Sequence, residues 1–150
     1  GEVNALITEV LQDTTRKESE DLGRTIYRYT KGNIFFTIQL LQSLSEENLL
    51  IRHNGEWDTR KIEETPISED VTEFLKTKLQ RFDPEMQELL KIIACLGAEV
   101  EELLIYHLVE AETAKSIISI AEDKELVTTH RGNVYFAHDC IQLASLALIP

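Results

Sequence analysis

Apolar residues recur at helical spacing along almost the whole chain, and this periodicity confines it to a mainly α architecture. Val3, Leu6, Ile7 and Val10/Leu11 line one face of an opening helix. Leu22, Ile26 and Tyr29 mark the next, with Glu18, Glu20 and Asp21 in a first turn where negative charge suits the helix dipole. Lys31-Gly32-Asn33 supplies a stop, because Gly and Asn both tolerate left-handed backbone. A third helix is predicted from Ile34 through Ile38, Leu41 and Leu44 to about Glu47.

The pattern then changes. Leu49 to Trp57 carries Asn54-Gly55 at its centre and reads as a β-hairpin with a type I′ turn, where both turn residues need positive φ. Glu63-Glu64-Thr65-Pro66 reads as a linker, which places a boundary between residues 1–66 and 67–150. Beyond it, Val71, Phe74, Leu75, Leu79 and Phe82 predict a helix. Asp83-Pro84 starts another: Asp caps the first amides, and Pro sits where no donor is needed. That helix buries Met86, Leu89, Leu90 and Ile93 and ends at Gly97. A short helix over Leu103–Leu108 follows, then one on Ala114, Ile117, Ile118 and Ala121. Val127–His130 and Val134–Ala137 flank Arg131-Gly132-Asn133 as a second hairpin, and an apolar helix runs from Asp139 to Ile149. Three or more helices followed by a hairpin is the order of a winged-helix domain, here beside a small helical bundle.

Charge excludes one common use of that fold. The chain has a net charge of −12, with residues 67–150 carrying 7 basic and 15 acidic side chains. Affinity for nucleic acid comes largely from Lys and Arg on phosphate, so a DNA-binding role is disfavoured. Cys95 and Cys140 stand far apart, in no metal-like spacing. The apolar run Ile92-Ile93-Ala94-Cys95-Leu96 predicts a buried thiol, and a reducing cytoplasmic setting follows from the lack of a disulfide framework. No signal peptide and no bilayer-length apolar stretch is present, so no membrane partner is expected. The chain opens inside an amphipathic pattern rather than at Met, as expected of a piece of a longer protein.

Catalytic signatures are absent: there is no phosphate loop, no G-x-G-x-x-G, no H-E-x-x-H and no nucleophile elbow. Acidic residues abound without a spacing that singles out a carboxylate pair. Of the four histidines, His53 and His130 border turns and read as surface residues, and His107 reads as partly buried packing. His138 precedes Asp139 at a strand-to-helix junction and is the functional candidate, although by position alone a satisfied structural histidine is the commoner case.

Lys31-Gly32-Asn33-Ile34-Phe35-Phe36 resembles the K-T-x-G-N-P-F-F segment in the lid of STAND-class, AAA+-like signalling ATPases. The likeness is to the large bacterial-type ATPases fused to kinase-like, GAF and histidine-kinase domains. It continues through Ile67-Ser68-Glu69-Asp70-Val71, Pro84 to Leu90 and Ala94-Cys95-Leu96-Gly97, and ends in Tyr135-Phe136-Ala137-His138-Asp139 and Leu148-Ile149-Pro150. The resemblance implies a helical lid followed by a winged helix, both acting on ATP or ADP held by an upstream P-loop domain that also binds magnesium. It implies that Gly32, Asn33 and Ile34 lie near the base and that His138 senses the phosphates, with Asp139 orienting the junction or capping the last helix. The implied partners are that upstream domain and downstream effector domains of kinase type, with a nucleotide-dependent oligomer as a further expectation. Ile34 stands where the family has Pro, Cys140 where a basic residue is usual and Leu146 where an aromatic is usual. Phe35 and Phe36 are better explained as core, because aromatics dominate buried contact area. An interaction module with no nucleotide contact is the alternative reading.

Overall fold

The structure is a computed structural model that describes residues 20–150. The opening amphipathic pattern, Val3 to Leu11, lies outside the described residues. The chain is mainly helical, with two small antiparallel sheets, and divides into two compact units, 1–71 and 72–150.

In the first unit, α1 (Glu20–Thr30) and α2 (Ile34–Glu46) pack together, followed by β1 (Ile51–His53), β2 (Glu56–Asp58) and α3 (Arg60–Glu64). Leu22, Ile26 and Tyr29 are buried, at the predicted spacing. The α1–α2 corner is built differently from expectation. Lys31 (φ 53°) and Gly32 (φ 84°) take the left-handed conformation, while Asn33 is extended and caps α2, its Oδ1 accepting from the Phe36 amide at 3.0 Å. Asn33 is therefore a helix starter, the role its acceptor side chain suits best. At the other end of α2, Asn48 (φ 58°) lets the Leu49 amide donate to the Leu44 carbonyl at 2.8 Å, a Schellman closure.

The first hairpin forms as its Asn-Gly pair requires. Asn54 and Gly55 have φ 52° and 82°, and the strands pair antiparallel with His53 opposite Glu56. Arg52 lies over the Trp57 ring at 4.9 Å. The Trp57 indole nitrogen is buried with no hydrogen-bond partner among the described residues, at a cost of about 1–3 kcal/mol. Glu63 and Glu64, expected in a linker, belong instead to α3, because Ile62 is fully buried and holds that turn in place.

The second unit contains most of α4 (Val71–Leu79), then α5 (Pro84–Leu96), β3 (Glu99–Glu101), α6 (Glu102–Leu108), α7 (Ala111–Asp123), β4 (Val127–His130), β5 (Asn133–Phe136) and α8 (Asp139–Ala147). Helix α5 packs on α7 and α8, and Gln142 of α8 donates to the Ala94 carbonyl at 3.2 Å. Met86, Leu89, Leu90 and Ile93 are buried together with Ala114, Ile117, Ile118 and Ala121. Asp83 precedes Pro84 but its side chain does not cap α5. The Gln87 amide donates to the Asp83 carbonyl, and the Gln87 side chain donates to the carbonyls of Gln80 and Phe82.

The second hairpin turns on Arg131 (φ 52°) and Gly132 (φ 79°), with Asn133 already in β5 rather than in the turn. It also gains a third strand. The sheet order is β3-β5-β4, and Val100 of β3 is buried opposite Val134. Glu99 accepts from the Asn133 amide at 2.8 Å and from the Tyr135 hydroxyl at 3.0 Å, which fastens the short strand.

Three side chains of apolar runs are exposed for one geometric reason, against the burial expected of Cys95 and the partial burial expected of His107. Ile34 is 74% exposed, Cys95 is exposed, and His107 is exposed rather than packed. Each lies two residues from a buried anchor on its own helix: Phe36, Ile93 and Ile105 respectively. Two residues are about 200° of helical rotation, so anchoring one side chain turns the other to the opposite face.

Candidate functional site

The residues singled out from sequence fall in both units. In the first, Gly32, Asn33 and Ile34 form the exposed α1–α2 corner. The Thr30 hydroxyl accepts weakly from the Gly32 amide at 3.4 Å and from the Thr37 hydroxyl at 3.2 Å. The single Thr37 hydroxyl proton is shared between that contact and the Asn33 carbonyl at 2.8 Å, so the corner is laced from both helices. Capping occupies Asn33 Oδ1, which leaves its amide NH2 as the group it presents to a ligand. Ile34 projects from the first position of α2. Phe36 is core, and Phe35 is half-buried.

Sequence reasoning missed one residue of this corner. Tyr27 is 61% exposed, and its ring edge lies against Gly32, where an added Cβ would stand 3.3 Å from Tyr27 Cε2. The signal was present but faint: Tyr27 sits between Ile26 and Tyr29 on α1, off the apolar stripe.

In the second unit, His138 follows β5 with extended backbone (φ −156°, ψ 149°) and is the N-cap of α8. Its Nδ1 accepts from the Cys140 amide at 3.1 Å. With Nδ1 accepting, Nε2 is the ring nitrogen that this contact leaves as a donor. Asp139 is the first residue of α8 and is exposed; it places negative charge at the helix start, while the cap itself is His138. The implied capping role of Asp139 therefore passes to its neighbour.

Other polar clusters have structural explanations. Arg60 grips Asp58 through two nitrogens, at 3.1 and 2.8 Å, and its own amide donates to the same carboxylate. These contacts hold the Asp58 carboxyl well below the usual carboxylate range, with His53 4.0 Å away adding to the effect. Glu110 caps α7: the Thr113 hydroxyl, then the Thr113 and Glu112 amides, hold its carboxyl low. An open groove of about 620 Å³ runs between the start of α5 and α7, past Phe82, Met86, Ile117 and Ile120. Among the described residues no His, Cys, Asp or Glu cluster suits a metal ion, and no helix is long and apolar enough to cross a membrane.

One curated relative is "Hybrid signal transduction histidine kinase G" of Dictyostelium discoideum, 24% identical over 124 residues. The match takes in 80% of this chain but spans only 4% of that protein's length. The relationship it supports is with histidine-kinase signalling proteins. No protein-family profile matches the chain, and no solved structure matches it.

Proposed function

We propose that this chain is a regulatory segment of a multidomain signal-transduction ATPase, sensing bound ATP or ADP and passing that state to kinase-type effector domains. The observation that carries the reading is the state of His138. By capping α8 through Nδ1, the imidazole is set as an Nε2–H donor at a strand-to-helix junction. A fixed N–H donor is what recognition of a phosphate oxygen asks for.

The topology of the second unit supports a winged helix. Helix, strand, two helices, then a hairpin whose last strand lies between the other two is that fold's connectivity. Its third helix, α7, would be the DNA reader in a transcription factor. Here it offers Lys115 against Glu112, Glu122 and Asp123, and Lys115 is drawn to Glu112 at 3.8 Å and to the Tyr106 ring at 5.5 Å. Such a helix would be repelled by phosphate. The fold therefore serves here as a coupling module in the cytoplasm. Similarity to a signalling kinase supports a signalling role.

The first unit fits the part of a lid. Gly32 and Ile34 offer backbone and apolar surface to a base, and Asn33 an amide. The phosphate-binding loop and the magnesium ligands belong to an upstream domain, so the segment alone has no hydrolytic activity. Nucleotide exchange would act by shifting a two-state equilibrium, with assembly into oligomers as one readout.

The test is ADP affinity of the longer protein that includes the preceding domain, with wild type set against His138→Ala. A loss of tenfold or more is expected; unchanged affinity refutes the phosphate role. In that case an interaction module becomes the better reading, favoured by Leu103, Leu104, Leu108, Leu143 and Ile149, all exposed on the second unit.

A further inference from the structure

Resting on the reading of Gly32–Ile34 as a base contact, we infer that Tyr27 supplies the aromatic face on which a purine ring stacks. Tyr27 and Ile34 are the two large apolar side chains left well exposed in the first unit, among the described residues. They are not scattered. Tyr27 touches Gly32 across the corner, and Ile34 is two residues beyond that glycine.

The contact also accounts for the glycine. Its φ of 84° is a conformation that side chains adopt at a cost, and a Cβ there would press on the Tyr27 ring edge at 3.3 Å. Gly32 thus serves two ends, turning the chain and letting the edge of an aromatic ring come close to the backbone. The Lys31 amide donates to the Tyr27 carbonyl at 2.8 Å, so the residue carrying the ring is tied to the turn itself. An exposed tyrosine face beside bare backbone suits a planar heteroaromatic ligand. A purine gains more from such a face than a pyrimidine does, because it covers more of it. Tyr27 is accordingly a specificity residue for the base.

Titration with ADP of the longer protein that includes the preceding domain, isotope-labelled and read at single amides, tests this. Stacking on one aromatic ring corresponds to roughly a fivefold or greater change in affinity. The wild type is expected to shift at Gly32–Ile34, with ADP favoured over UDP. Tyr27→Phe should keep the response, and Tyr27→Ala should weaken it at least fivefold. Equal responses from wild type and Tyr27→Ala overturn the stacking role while leaving the base contact standing. A wild type with no shift at Gly32–Ile34 overturns the base contact, and the Tyr27 role with it.

Discussion

Replacing His138 separates the cap from the phosphate contact. In His138→Ala the Cys140 amide loses its acceptor at the start of α8. Loss of an N-cap costs about 0.5–2 kcal/mol, typically near 1. Helix α8 carries Ile141, Ala144 and Ser145 into the core and packs on α5, so the loss should register in the stability of the second unit as a whole. For a unit spanning residues 72–150, 1 kcal/mol corresponds to roughly 4–8 °C in Tm. His138→Ser restores an oxygen acceptor at the cap and should recover most of the loss. It offers no imidazole to a phosphate, so nucleotide affinity should stay low in Ser and Ala alike. The assay is thermal unfolding followed by helical circular dichroism. Fluorescence of Trp57, the single tryptophan, serves as an internal reference because it lies in the first unit. If Ala lies within about 0.3 kcal/mol of wild type, or Ser is no more stable than Ala, the capping argument fails.

Three further outcomes follow from local geometry. Gly132→Ala meets open space but sits at φ 79°; it should cost about 1–2 kcal/mol in urea unfolding, from backbone strain alone, and a neutral result would mean that the turn relaxes. Asp58 is held low by Arg60, so its contribution is present above the unfolded carboxylate pKa of about 3.9 and is lost as pH falls through the folded value; carbon-detected titration should place it below the ordinary 3.8, and a midpoint at or above that value contradicts the bidentate contact. Cys95 is exposed and Cys140 half-buried, so a thiol reagent should label Cys95 first in the folded chain. Protection of Cys95 until unfolding would restore the buried expectation.

Much of the architecture is legible locally. Asn54-Gly55 takes the positive φ pair that closes a two-residue hairpin, a property of those residues before any packing, whereas Arg131 beside Gly132 takes it at a cost that its hairpin meets. Pro84 opens α5 and Gly97 closes it because one lacks an amide proton and the other lacks a Cβ. Leu22, Ile26, Leu89 and Ile93 are buried as their spacing requires. His138 and Gly32–Ile34 were placed at the right junctions from sequence, but how each bonds was not.

What escaped depends on a neighbour far along the chain. Glu99-Val100-Glu101 has one apolar residue and becomes a strand only because β5 offers it an edge, 34 residues away between Glu99 and Asn133. Cys95, Ile34 and His107 sit in apolar runs that hold no information on which residue anchors the helix. Their exposure was decided when Ile93, Phe36 and Ile105 were buried. Tyr27 reached Gly32 because the helix ended where it did. Periodicity sets which residues share a face, whereas the partner packed against the helix selects the face that loses its water.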